Sequence, residues 1–337
     1  MDAMNGKQRF MKLLAGEAPD FVPRTPILMR YAAEYIGSDY GAFTADHSVL
    51  VEANIRCAED FGFDQLSAIS DPYREATGFG GVPVFDPGSG VHLERPPLAD
   101  GVDLGLLAHP DPQTSPRMRD RLDAIAAMAS RFGDTYSVLG WVEGPAAEAA
   151  DLRGVQDFFV DLLGDPEPLC DLMDHVTEVG ISFALAQVAA GADTIGIGDA
   201  VASQVPPDIY EQMILPRERR LVDAIKAAGV RVKMHICGNI THLLPGLATL
   251  GLDLLDVDHM VSLPAVRKAV GDKVVLCANL DPVEHVLRGT PALIRDELRR
   301  ARDEAGPAFV AGAGCEIPSG TPPAILKALC EPLGWEV

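Results

Sequence analysis

The chain is short of positive charge: 28 Lys and Arg stand against 49 Asp and Glu, a formal net charge of -21 at pH 7. That balance argues against a nucleic-acid groove or an anionic membrane surface as the main partner, while leaving room for a local basic pocket. Long hydrophobic runs are also missing, so no segment reads as a bilayer span. Met1 to Phe10 carry polar and charged residues without the apolar stretch of a secretory signal, and the expected location is the cytoplasm. Six cysteines in 337 residues are too few for a disulfide scaffold, and reduced thiols are expected. Low-complexity linkers, heptads and internal repeats are lacking as well, which makes one domain over residues 1–337 the economical reading. A homodimer and a monomer are both compatible with these features.

What the chain does have is alternation. Short apolar runs rich in β-branched residues alternate with longer amphipathic segments, the pattern of an α/β fold. Eight runs read as strands: Thr25–Arg30, Asp64–Ser70, Ser137–Glu143, Asp193–Asp199, Arg231–Gly238, Asp253–Asp258, Lys273–Asp281 and Ala308–Glu316. Helical patterns at Thr44–Phe61, Arg117–Phe132, Pro166–Ala190, Pro207–Ala228 and Pro291–Glu304 separate most of them. Pro166, Pro207 and Pro291 suit a first helical turn, and Gly191, Gly229 and Gly306 suit the residue after a last turn. Eight such units predict a (β/α)8 TIM-type barrel, although periodicity alone does not separate it from a doubly wound sheet. Residues 2–21 predict an N-terminal helix capped by Asn5 and ended by Gly16. Gly80 to Leu98 predicts a β-hairpin inserted after the second strand, turning at Pro87-Gly88-Ser89-Gly90.

In a barrel all strand C-termini meet at one mouth, so the residues that end these runs converge. They include Asp71, Glu143, Asp199, His235 with Cys237, Asp256 with Asp258 and His259, Asn279 with Asp281, and Cys315 with Glu316; the first run ends at Arg30. Many such acids do no more than cap the next helix. The sharpest motif is Met234-His235-Ile236-Cys237-Gly238. On a strand, His235 and Cys237 share a face, and an imidazole beside a thiolate suits zinc. Cys315, ending the eighth run, is the natural third ligand and leaves a fourth position for a reactant. Three separated ligands lack the specificity of a paired CxxC, so the pattern alone leaves a metal site and ordinary strand ends both open. Cys277 fits a core position as well as a site, and Cys57, Cys170 and Cys330 sit in helical apolar patterns where a small buried hydrophobe is expected.

The sequence resembles the uroporphyrinogen decarboxylase superfamily, and within it the zinc-dependent, corrinoid-linked methyltransferase branch. The resemblance runs through the opening Arg9–Pro23, Ile69–Ala76, Gly140–Gly154, Gly196–Tyr210, His235–Asn239, Asn279–Pro282 and Ala313–Pro318. The branch's catalytic zinc triad matches His235, Cys237 and Cys315. Decarboxylases carry an Arg-Gln-Ala-Gly-Arg run near the first strand, whereas Met29–Tyr35 here keeps Arg30 but lacks the second arginine. They also carry Gly-His-Gly where this chain has Gly314-Cys315-Glu316. A substrate with many carboxylates needs dense cationic compensation, so porphyrinogen decarboxylation is disfavoured.

The resemblance implies a methyltransferase that uses Zn2+ and moves a methyl group between a small substrate and the cobalamin (corrinoid) of a partner protein. Two directions are open: demethylation of a substrate such as a phenyl methyl ether, or methylation of a thiol such as coenzyme M. Tyr31, Tyr35 and Phe79 are expected to offer aromatic surface near the mouth, which inclines the reading towards demethylation. Glu143 and Asp199 are the expected catalytic helpers, either by orienting His235 or as acid–base groups. Arg30, Asp71, Tyr73, Asn239 and Asn279 are the expected substrate contacts. A metal-free lyase built on the clustered carboxylates, and a non-catalytic scaffold for a corrinoid protein, are the rivals. No Asp-x-His-x-x-Gly run is present to hold cobalamin in this chain itself.

Overall fold

The computed structural model describes residues 4–277 and 279–335. Asp2 and Ala3, within the expected helix 2–21, Ala278, within the expected seventh strand, and residues 1, 336 and 337 of the expected domain lie outside the described residues.

Seven parallel strands, β1 (Gln65–Ser67), β4 (Ser137–Glu143), β5 (Thr194–Gly198), β6 (Arg231–His235), β7 (Leu254–Asp256), β8 (Val275–Cys277) and β9 (Phe309–Val310), pair in that spatial order. Strands covered on both faces read as continuous apolar runs, and here they are buried along almost their whole length. The two remaining strands, β2 (Pro83–Asp86) and β3 (Gly90–Leu93), form the expected hairpin after β1, with Asp86 opposite Gly90 across the turn. The fold is the α/β, TIM-type barrel that the alternation predicts.

The first expected strand is the correction. Thr25–Arg30 forms no regular strand; a single bridge joins Arg24 to Ala311, and Arg30 already begins the helix Arg30–Tyr35. Pro23 and Pro26 have no N–H to give a ladder, so only a few bonds are available. Those few close the barrel. Asp64 N–H donates to the Arg24 carbonyl at 2.8 Å on one side. On the other, Thr25 N–H donates to the Ala311 carbonyl at 2.9 Å and Ala311 N–H to the Pro23 carbonyl at 2.8 Å.

Helix boundaries follow local capping chemistry. The N-terminal helix spans Gly6–Leu14, shorter than the expected 2–21, with a reciprocal capping box between Asn5 and Gln8 and Gly16 left-handed just beyond its end. The expected Thr44–Phe61 helix is two helices, Tyr40–Ala45 and His47–Phe61, because the Asp46 carboxylate caps Ser48 N–H at 2.8 Å and restarts the chain. The expected Pro207–Ala228 helix is interrupted by a π-helical turn at Tyr210–Ile214. Pro145–Arg153 and Val155–Gly164 are helices that the apolar periodicity did not announce. Among the described residues no helix is long and apolar enough to cross a membrane.

Beneath the barrel, Asp64 locks the closure. Its carboxylate accepts from Arg9 Nη1 at 2.6 Å, from Arg24 Nε at 3.0 Å and from the Arg24 backbone N–H at 2.8 Å, and all three residues are buried. Removing one partner of a buried ion pair strands the remaining charges. Asp64→Ala is therefore expected to lower unfolding free energy by about 3–5 kcal/mol, measured by urea denaturation; a loss below about 1 kcal/mol, typical of an exposed pair, would contradict this role.

Candidate metal centre

Strand β6 delivers its residues alternately. Met234 and Ile236 join the hydrophobic core, while His235 and Cys237 line a cavity at the mouth. Cys315, beyond β9, reaches the same cavity. His235 Nε2 lies 3.0 Å from Cys237 Sγ and 3.9 Å from Cys315 Sγ, and the two sulfurs are 3.6 Å apart. Tetrahedral zinc, with bonds of about 2.3 Å to sulfur and about 2.0 Å to nitrogen, spans sulfur–sulfur edges of roughly 3.8 Å and nitrogen–sulfur edges of roughly 3.5 Å. The donor set fits that ion, and one soft imidazole with two thiols is the chemistry zinc prefers.

An ion-pair chain stands behind the imidazole. Asp256 Oδ2 lies 3.1 Å from His235 Nδ1, and Asp256 Oδ1 lies 3.0 Å from Lys233 Nζ, with both partners of the second pair buried. Burial opposes charge on Asp256, but the Lys233 ammonium and the hydrogen bond from His235 hold its carboxyl well below the usual range. Burial opposes charge on His235 too, yet Asp256 and the Cys315 sulfur hold the imidazole up to about 9. The hydrogen bond from Cys237, working against burial and aided by His235, holds the Cys315 thiol down to about 4. Asp256 thus fixes Nδ1 as the donor and aims Nε2 at the sulfurs. Sequence reasoning assigned Lys233 no part in this. The signal was present: Lys233, His235 and Cys237 alternate on one strand face.

The cavity measures about 180 Å³. Ile27, Met29, Tyr40, Ile69, Pro72 and Trp141 give it an apolar wall; Asp71, Glu143 and Glu316 add acids. Among the described residues, no lysine or arginine lines it. The Trp141 indole packs flat enough to serve as a wall because Gly196 and Gly198 face it: a Cβ at those positions would sit 2.4 and 2.7 Å from the ring. Trp141 Nε1 donates to Glu143 Oε1 at 2.9 Å. Asp71 is already matched, accepting from Arg117 at 3.0 and 2.8 Å. Burial raises Asp71, but Arg117 and its fellow arginines hold it below the ordinary carboxylate range.

Of the residues singled out in the sequence, the cavity brings together His235, Cys237, Cys315, Glu316, Glu143 and Asp71. Asp199 is elsewhere: fully buried, its carboxylate accepts the Ala147 and Ala146 backbone N–H groups at 2.7 and 3.3 Å and caps the helix Pro145–Arg153. Arg30 turns outward to Glu34 at 2.8 Å, although its backbone N–H donates to Glu316 Oε1 at 2.9 Å. Asn239 is exposed and closes a surface turn onto Thr241. Asn279 is buried and donates to the Val261 carbonyl at 3.0 Å, and Tyr73 is half-buried; neither lines the cavity. The expected aromatic surface is also misplaced. Tyr31 and Phe79 are core residues and Tyr35 packs on Phe61, whereas Tyr40 and Trp141 face the cavity.

A family model described as uroporphyrinogen decarboxylase matches residues 5–333. The chain is 28% identical over 332 residues to a methylcobamide:CoM methyltransferase of Methanosarcina mazei, covering 96% of each. It is 31% identical over 212 residues to a methylcobamide:CoM methyltransferase of Methanosarcina acetivorans, covering 62% of this chain and 61% of the relative. Among solved structures, a methyltransferase from Methanosarcina mazei superposes with a TM-score of 0.85 at 24% identity over 97% of each chain, a likeness of fold.

Metal analysis of wild type beside Cys237→Ser and Cys315→Ser is expected to find zinc in the first and little in either variant. Asp256→Asn, which weakens the support of His235, is expected to reduce zinc affinity about 10–100-fold by competition with a chelator. Equal metal content in all of them would remove the site.

Proposed function

The chain belongs to the uroporphyrinogen decarboxylase family, and on that premise we propose that it is a metal-dependent methyltransferase that transfers a methyl group from a small, uncharged methylated substrate to the corrinoid of a partner protein. The observation that carries this reading is the pairing of a His-Cys-Cys donor set with a small cavity whose described lining contains no cationic side chain. His235, Cys237 and Cys315 would hold zinc, which when bound supplies a Lewis acid for the substrate's heteroatom. Met29, Tyr40 and Trp141 give the substrate body an apolar seat beside those ligands and exclude water. Lys233 and Asp256 keep the imidazole aimed. Asp199 acts only through the helix it caps.

Two alternatives are weaker. A cavity of about 180 Å³ with no cation among its described lining residues suits neither the size nor the carboxylates of a porphyrinogen. Methylation of a thiol by a methylated corrinoid is supported by the names of the relatives from Methanosarcina mazei and Methanosarcina acetivorans. A thiol with an anionic tail, however, would find no cationic side chain among the described residues of this lining to pair with.

The zinc-loaded chain, mixed with a corrinoid protein reduced to cobalt(I), is expected to consume the cobalt(I) absorbance when a neutral aryl methyl ether is added and to release the phenol. An anionic thiol that strips the methylated corrinoid while every neutral ether stays inert would overturn the assignment of direction and substrate.

A further inference from the structure

Behind Glu143 lies a group of acids that the fold has no evident structural reason to bury. Glu75, on the helix Arg74–Gly78, accepts the Glu143 backbone N–H at 3.0 Å through Oε1, and its Oε2 is buried without a partner. Glu148, on the helix Pro145–Arg153, is 2% exposed with neither carboxyl oxygen hydrogen-bonded. Asp151, one turn further, leaves Oδ2 buried and unpartnered. The neighbouring cations are committed elsewhere: Arg117 grips Asp71, Arg74 grips Asp120 at 2.6 Å, and Arg121 donates to the Trp141 carbonyl at 2.9 Å. The fully buried Arg121 guanidinium interacts with Glu75 and Glu143 through its charge, and its Nε has no hydrogen-bond partner.

Two buried carboxylates, Glu75 and Glu148, beside the half-buried Glu143 and Asp151, with no ion pair among the described residues, would each cost several kcal/mol if all were charged. A chelated cation is one remedy, but among the described residues the sets that could grip one are His235-Cys237-Cys315 and Asp46-His47-Asp120. The proton is the remaining remedy. Burial first, and then their mutual repulsion, push Glu143, Glu148 and Asp151 well above the ordinary carboxylate range, and burial raises Glu75 despite Arg121. Glu143 alone of the four lines the cavity. The indole of Trp141 holds its Oε1, and Oε2 faces Gly198, 3.2 Å from where a Cβ would stand.

Resting on the methyl-transfer reading above, we propose that Glu143 is the general acid that protonates the departing heteroatom, and that Glu75, Glu148 and Asp151 form a buried proton store that reloads it. The step balances. The cobalt(I) corrinoid of the partner supplies the electron pair of the new carbon–cobalt bond; the pair of the broken carbon–oxygen bond stays on oxygen, and the Glu143 proton joins it there. Glu143 is left as a carboxylate and recovers a proton from the acids behind it, which refill from solvent. The charged and titratable groups around Glu143 are Glu75, Arg121 from the helix Pro116–Phe132, Glu148 and Asp151 from the helix Pro145–Arg153, and Tyr73, while Asp71 shares the cavity and acts on Glu75. Since the acid form is the active one, turnover is expected to fall as pH rises through the raised Glu143 titration.

The test uses the zinc-loaded chain with its corrinoid partner and a series of neutral aryl methyl ethers of graded phenol acidity. Glu143→Gln keeps the shape and the bond from Trp141 but has no proton to give. It is expected to slow transfer about 10²–10⁴-fold for the least acidic phenols, far less for the most acidic, and to erase the alkaline limb. A uniform loss across the series would leave Glu143 a structural residue and overturn its role. Independently, infrared difference spectra at neutral pH are expected to show protonated-carboxyl bands that weaken in Glu148→Gln and Glu75→Gln. Absence of those bands from the wild type would overturn the store. No transfer from any ether by a zinc-loaded wild type that still shows the bands would instead sink the methyl-transfer reading on which the acid role rests, and that role with it.

Discussion

The contact on which the architecture turns is the Asp64 carboxylate between Arg9 and Arg24. A seven-strand parallel sheet has two open edges, and the segment that fills the gap between β9 and β1 carries prolines where a ladder needs donors. A handful of backbone bonds and this buried ion cluster hold it in place. Closure has a direct chemical consequence, since Cys237 and Cys315 lie 78 residues apart in sequence. Their sulfurs reach van der Waals range because the curled sheet brings the ends of β6 and β9 to one mouth.

Within that mouth, electrostatics is arranged by depth. Lys233 and Asp256 place a full ion pair under the imidazole, so His235 is oriented by a partner that is itself fixed. Asp71 is matched by Arg117 across the opposite wall. Glu143 has no such partner, and burial favours its neutral form. A cavity lined by three acids therefore presents less negative charge than its composition suggests.

Gly196 and Gly198 show how little sequence is needed to shape such a wall. Any side chain at either position would collide with the Trp141 indole, displacing the ring that seats both the cavity and the Glu143 carboxyl. The same strand pair thus sets the floor of the cavity and the position of its acid.

By itself the sequence determined the alternation of strands and helices, the hairpin after β1, and the sharing of one strand face by His235 and Cys237. These are local matters of period, turn residue and cap, readable wherever neighbours in sequence are neighbours in space. It misjudged Thr25–Arg30, where β-branched and apolar residues promised a strand that two prolines prevent. It also treated Asp199 and Glu143 alike, as acids at the ends of adjacent strands. Tertiary structure separated them: Asp199 turns under the following helix to meet two backbone donors, while Glu143 faces the cavity with unpaired acids behind it. Which way an acid at a strand end turns depends on the groups that unrelated segments bring to it, and no period along the chain encodes those distances.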